Sequence, residues 1–425
     1  MFVSPAQRRP PGPPIHRAPL AGLALLLLAL TLPGPALADQ ADDERRYLDR
    51  QEFSWLPLLG GDSDFGYGAG IMLSLADFRF PYEPYRYRLE AVALALFKLE
   101  GGSRLLVPYQ DYTFRATFPQ LIFDPLRLIV GARYVRNATL LYPGLGNASQ
   151  PDPALDFDQQ RYSLAQPHVF LQLGFALPDP WRLKLGVSYG RDLVRIPSDG
   201  AVARDLASSS DWLRAELRGT GHHDALIFDY ALGLDTRDNE TVASKGYTVD
   251  LLFQHAPAIQ PRIPLFWLRT NLSGRLFLPL YKDVLVLASR LQLDLLFGDP
   301  PFYELARAGN RWAIGSAFGL RGIPGQRYYG RYKAIANLEL RTQLFRFEAW
   351  NKRWRIGLVA FGDAGRVWAD VRSRPEIGTG GDPLHYGVGG GLRLQQGEVF
   401  VVRADVAWSP QANPVGFYFT AGHLF

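Results

Sequence analysis

His222-His223-Asp224 sets two imidazoles and a carboxylate side by side, the donor set of a metal site or of acid–base chemistry. Gly66, Gly68 and Gly70 have the spacing of a glycine run that cradles a phosphate. Asn147-Ala148-Ser149 and Asn239-Glu240-Thr241 match glycosylation sequons. The surroundings favour plainer readings. The His-His-Asp triplet falls at the end of a long connection and is expected to be solvated. No helix follows the glycines, so they read as small inward-facing residues of a strand, and Gly387, Gly389 and Gly391 read the same way. The chain contains no G-x-S-x-G and no H-E-x-x-H motif. It has no cysteine, which excludes disulfides, thiolate metal sites and cysteine nucleophiles. These residues predict a protein that is not an enzyme and holds no metal or cofactor.

The elements that must carry these residues begin after an export signal. Arg8, Arg9 and Arg17 form a basic start, Leu20 to Leu32 an apolar core, and Ala36-Leu37-Ala38 a small-x-small cleavage site. Residues 1–38 are therefore expected to be a signal peptide, and 39–51 a short periplasmic segment. Losing the signal's three arginines lowers the formal net charge from +5 to about +2, too little to argue for nucleic acid. No later stretch has the ~18 apolar residues of a membrane helix.

From Phe53 onwards the hydrophobic pattern has period two. Ala334, Ala336, Leu338, Leu340, Thr342 and Leu344 share one face, and Lys333, Asn337, Glu339, Arg341 and Gln343 the other. Val284 to Phe297 and Phe400 to Trp408 repeat the alternation, with Arg290, Asp294, Arg403 and Asp405 on the polar side. A Lys or Arg facing lipid at mid-membrane costs roughly 2–4 kcal/mol, so the charged face must point into a lumen. The pattern predicts an all-β protein, a 16-stranded antiparallel transmembrane β-barrel over 52–425. Its strands are expected at 52–60, 65–76, 85–98, 109–118, 126–137, 164–176, 181–194, 224–235, 245–254, 264–278, 283–297, 331–345, 353–366, 384–395, 398–408 and 415–425. The connections 138–163, 195–223, 298–330 and 367–383 are long and alternate with short ones such as 177–180, 279–282 and 396–397. Long loops outside and short turns inside are the asymmetry of outer-membrane barrels. Phe65, Tyr67, Trp181, Trp368 and Trp408 are candidates for the interfacial aromatic girdles. Val415, Phe417, Phe419, Ala421, His423 and Phe425 alternate through a last strand ending in Phe, which resembles the signal read by the barrel assembly machinery.

Three segments resemble the BamA/TamA superfamily, the bacterial surface antigen family of outer-membrane assembly and secretion barrels. Gly233-Leu-Asp-Thr-Arg-Asp-Asn239, with Gly246 after it, is similar to the family's D-x-R-D-N…G element through Asp235, Arg237, Asp238 and Asn239. Gly319-Leu-Arg-Gly-Ile323 is similar to its V-R-G-F/Y motif, and Phe361-Gly-Asp-Ala-Gly365 to its F-x-D-x-G motif. The resemblance covers the mature chain and is best from about 224 to 425. It implies that the sixth external loop folds inward and that Arg321 docks on Asp363, with Glu339 on the adjacent strand. Strand parity puts Glu339 in the lumen, and Asp363 too if Ile356, Leu358 and Ala360 face lipid. An arginine fork suits such carboxylates. Gly319 and Gly322 would let the loop turn and approach the wall, and Gly365 completes the wall motif. Family members that insert or secrete proteins carry periplasmic polypeptide-transport repeats, and residues 39–51 cannot hold one. A barrel-only member is therefore expected.

The expected setting is the outer membrane of a Gram-negative bacterium, in contact with its lipids and lipopolysaccharide. The expected partners are the assembly machinery for its own insertion and a client or periplasmic protein. In the assembly reading, a first strand (Glu52 to Gly60) that pairs weakly with the last (Pro414 to Phe425) opens sideways to a client strand. The alternative is a passive pore or structural barrel.

Overall fold

The computed structural model describes residues 49–425 except 80, 81, 83, 84, 121–125, 283, 310, 313–317, 350, 351, 370–383, 398 and 399. The expected signal peptide, and the segment 39–51 up to residue 48, lie outside the described residues, as does most of the connection 367–383. No described helix is long and apolar enough to cross a membrane.

Sixteen antiparallel strands close into a barrel. In chain order they are β1 (Asp49–Asp62), β2 (Gly66–Arg79), β3 (Tyr87–Glu100), β4 (Arg104–Phe118), β5 (Leu126–Leu141), β6 (Arg161–Ala176), β7 (Trp181–Arg195), β8 (Gly221–Asp235), β9 (Gly246–Ala256), β10 (Trp267–Tyr281) and β11 (Leu285–Gly298). A small hairpin, β12 (Arg307–Ala308) and β13 (Arg311–Trp312), interrupts them. The wall resumes with β14 (Tyr332–Ala349), β15 (Lys352–Trp368), β16 (His385–Gln396), β17 (Phe400–Ser409) and β18 (Ala412–Ala421). Most strands outrun the ranges expected from sequence, because ladder pairing continues past the apolar belt into polar rims.

The period-two pattern maps onto the two faces. On β11, Leu291, Leu293, Leu295 and Phe297 are exposed outward, whereas Arg290 and Asp294 are buried inward. Tyr67, Trp181, Trp368 and Trp408 are exposed outward, as girdle residues should be. Phe65 is not one of them. It sits in the β1–β2 turn, packs near Tyr109 and leans on the core of the long-loop end.

That end is capped by a real hydrophobic core. Tyr142 and Tyr162 from the β5–β6 region meet Val202 and Leu217 from the β7–β8 loop, and Phe302, Tyr303, Leu305 and Tyr329 from loop 299–331. The β7–β8 loop supplies two short helices, α1 (Ala201–Leu206) and α2 (Asp211–Glu216). The Ser210 side chain accepts from the Leu213 N–H at 3.3 Å and caps α2.

Two expectations are corrected. His222-His223-Asp224 is not solvated loop. β8 starts at Gly221, so His223 points inward and is 1% exposed, while Asp224 pairs with Arg191 at 2.7 Å. Nor does the last strand run to Phe425. β18 ends at Ala421, Gly422 takes a left-handed φ of +82°, and the chain turns off the wall. Phe425 then lies among the inward-facing Phe277, Arg290 and Arg341. Phe417 keeps the outward, exposed position expected of it, and Phe419 is half-buried on the same strand.

Candidate functional site

Loop 299–331 joins β11 to β14, and its backbone lies against lumen-facing side chains of the wall. Arg321 is fully buried. Its Nε and Nη2 donate to the two oxygens of Asp363 on β15 at 2.8 and 3.0 Å, a bidentate fork. Its own backbone N–H donates to Asp363 at 3.0 Å. Nη1 reaches Glu339 on β14 at 2.7 Å and Asp405 on β17 at 3.1 Å. The guanidinium carbon stands 3.4 Å from the centroid of the Phe361 ring. One cation is thus shared by three strands. Alternation along β14, β15 and β17 is what turns Glu339, Asp363 and Asp405 to the same side.

The backbone around Arg321 needs glycine on both partners. Gly322 has φ +87°, and a Cβ there would sit 2.9 Å from the Trp408 carbonyl carbon. Its N–H donates to the Tyr418 hydroxyl on β18 at 2.8 Å. On the wall, a Cβ at Gly387 would fall 1.9 Å from the Arg321 carbonyl oxygen. Gly319 contributes its carbonyl, which accepts from Asn337 at 2.8 Å. Gly365 pairs with Ile335 and His385 within the wall, one turn of the pleat above Asp363. Leu320, Ile323 and Tyr328 pack with Ile335 and Val367 beneath.

Sequence reasoning missed a second anchorage. Arg269 on β10 donates to the Glu304 carboxylate and carbonyl, both at 2.8 Å, and to the Gly309 carbonyl at 3.0 Å. Asp294 on β11 accepts from the Gly309 N–H at 2.7 Å, with Lys333 at 3.5 Å. Tyr303 donates to Asp192 on β7, and its hydroxyl lies 3.0 Å from His223 Nε2. His168 also contacts Asp192, at 2.7 Å. A third tie joins the loop to the seam side, where the Gly325 N–H donates to Asp64 at 2.8 Å. Of these residues, the alternation singled out only Asp294 as inward-facing; the partners of Asp192, Arg269 and Asp294 are far away in sequence.

The Asp235–Gly246 element sits at the opposite, short-turn end and is a self-bonded turn. Asp235 accepts from Arg237 at 2.8 and 3.0 Å, Asp238 from the N–H groups of Ser244 and Lys245, and Asn239 from those of Thr241 and Val242. Gly246 closes it with φ +101°, where a Cβ would lie 2.4 Å from the Thr236 oxygen. Asn147 is buried and accepts from the Val367 N–H at 3.0 Å, so its sequon is spent on structure.

The barrel's closure is uneven. β1 and β2 pair from Asp49↔Arg79 through Asp62↔Gly66 without a break. Among the described residues, β1 and β18 pair at Gly61↔Phe419 and Asp62↔Tyr418, and one further backbone bond runs from the Ser63 N–H to the Phe417 carbonyl at 3.0 Å. The inward turn at Gly422 withdraws residues that would have continued the ladder. Phe53, Trp55 and Leu59 on β1 are exposed on the outer face, as outward apolar residues are on the fully paired strands.

Fold and site together define a closed barrel of sixteen antiparallel strands whose inward loop is held by an arginine bound to three wall carboxylates. The Omp85 superfamily domain matches residues 109–425, and the chain belongs to that superfamily. Its structure is similar to BamA from Haemophilus ducreyi lacking POTRA domains 1–3, with a TM-score of 0.57 at 15% identity, covering 88% of this chain and 70% of that one. It is also similar to CdiB from Escherichia coli, with a TM-score of 0.54 at 11% identity over 87% of this chain. The chain spans 62% of that CdiB chain. No curated sequence is significantly similar to it.

Proposed function

We propose that this barrel resides in the outer membrane of a Gram-negative bacterium and aids insertion or export of polypeptides there, without enzymatic chemistry. The observation that carries the reading is the seam. Among the described residues, two residue pairs and one further backbone bond, Ser63 to Phe417, close β1 against β18, whereas an unbroken ladder joins β1 to β2. A strand edge with unpaired N–H and C=O groups is a template for another strand. A client strand that adds to β1 gains main-chain hydrogen bonds and opens the barrel sideways into the membrane. Pro57 and Gly60 on β1 keep that edge from forming a tight permanent ladder. Clients and any periplasmic partner would meet the barrel at this seam, with membrane lipid around it.

The test uses the absence of natural cysteine. Asp62→Cys with Tyr418→Cys places two thiols at paired positions of the seam. The refolded barrel in liposomes should speed insertion of an unfolded model outer-membrane protein. Oxidising the pair should abolish that acceleration, and reduction should restore it. Acceleration that persists in the oxidised form would refute the seam mechanism, and no acceleration in the reduced form would refute the assembly role.

A further inference from the structure

The short-turn end of the lumen holds charge that the loop does not use. A cavity of about 60 Å³ lies there between β14, β15, β16 and the turn that precedes β9. Its polar walls are Arg341, Arg355, Arg393, Thr342, Gln343, Gln395, His423 and Ser244, with no carboxylate among the described lining residues. Arg341 spends its Nε on Glu339 at 2.8 Å and an Nη2 on the terminal main-chain oxygen of Phe425 at 3.1 Å. Arg393 spends Nη1 on Asp405 and on the Leu392 carbonyl. Its Nε and Nη2 have no hydrogen-bond partner, although the side chain is only 5% exposed; Glu339 is 3.8 Å from Nη2. His423 Nδ1 is likewise buried without a partner. Arg355, inward-facing on β15, makes no ion pair among the described residues.

Among the described residues, the Glu339 carboxylate is shared by Arg321, Arg341 and, at 3.8 Å, Arg393. A buried lysine can shed its proton, but a guanidinium stays charged and must find an anion or water. The cavity is too small for another protein's side chains to enter freely, yet it exceeds the space of a single water. One guanidinium fork satisfies a planar carboxylate. Donors converging from three strands instead suit acceptors spread in three dimensions.

We infer that this cavity is a binding site for a phosphate-type oxyanion, entering from the short-turn end as free phosphate or as the phosphate of a lipid headgroup. The site does not depend on the assembly reading.

The full refolded chain is titrated calorimetrically with inorganic phosphate at low ionic strength. Saturable binding to one site is expected, weakened about tenfold or more by Arg355→Gln and by Arg393→Gln. Arg355 stands outside the Arg321 ion-pair network, so its variant remains informative if Arg393→Gln refolds poorly. Heat-resistant gel mobility confirms folding in each case. In a second arm, micelles carrying phosphatidic acid or diacylglycerol are added. Competition by phosphatidic acid alone assigns a lipid headgroup, and no competition by either assigns the free ion. The proposal is overturned by absence of saturable phosphate binding, by binding that both variants leave unchanged, or by acetate binding as tightly as phosphate.

Discussion

At the residue scale the molecule turns on how one arginine is satisfied. Arg321 and its partners Glu339, Asp363 and Asp405 are all but inaccessible to solvent. Removing one member of a buried ionic set leaves the others charged and unpaired, which costs about 3–5 kcal/mol. Arg321→Ala should therefore release loop residues to protease and lower the temperature at which the barrel loses its compact gel mobility. Arg321→Lys should fall between, since a point charge cannot fork onto Asp363 while also reaching Glu339. Wild-type mobility and protease resistance in Arg321→Ala would sink the docked-loop idea. Asp64, in the β1–β2 turn, gives a pH test. Burial, and then the neighbouring Asp62, push its carboxyl up to about 7. The folded state then holds a proton that the unfolded state, near the ordinary value of 3.8, releases. Stability contributed by this group is greatest below the unfolded value, falls as pH rises towards about 7, and is flat above it. Unfolding followed at pH 4.5 and pH 8 should show this loss in the wild type and a smaller one in Asp64→Asn. An unchanged difference in the variant would remove Asp64 from the account.

At the scale of elements, much was legible because a membrane wall imposes a strict rule. Charge facing lipid is expensive, so the alternation along Lys333–Leu344 and Leu285–Phe297 reported which side was lumen. The same parity turned Glu339 and Asp363 inward before any contact was known. The resemblance singled out Arg321. Asp405, Phe361 and Tyr418 as its companions were not legible, because pairing across a lumen between residues dozens of positions apart leaves no local pattern. His223 was misread because the start of β8 was placed three residues late, and that error exchanged a buried inward residue for a solvated one. Phe425 was misread for a related reason. Alternation runs on through Gly422, and nothing but that glycine marks where the chain leaves the wall. Gly387 shows what such a position can hide. Its strand reads as ordinary small-residue wall, yet the missing Cβ is the space occupied by the Arg321 carbonyl. Gly387→Val should displace the loop without altering any charge, lowering the barrel's thermal stability as Arg321→Ala does. Retained stability and protease resistance in Gly387→Val would mean that the loop approaches the wall elsewhere.

At the scale of the whole molecule the question is whether the lumen conducts. Barrels of sixteen to eighteen strands leave room for an aqueous channel unless something fills them. Here loop 299–331 is tied to opposite walls, to β14, β15 and β17 through Arg321 and to β7 and β10 through Tyr303 and Glu304. Above it, aromatic side chains from three connections close the long-loop end. The refolded wild-type barrel in a planar bilayer should therefore conduct poorly. Deleting residues 303–328 removes Glu304, Gly309, Arg321 and Gly322 together and should give large, steady currents, provided the wall itself survives. Wall survival is checked independently by strand content in circular dichroism. A closed wild type beside an open deletion fits a barrel whose traffic goes through the β1–β18 seam, because its central path is blocked. A large, steady wild-type conductance would mean that the loop does not seal the lumen, and the passive-pore reading would then replace assembly.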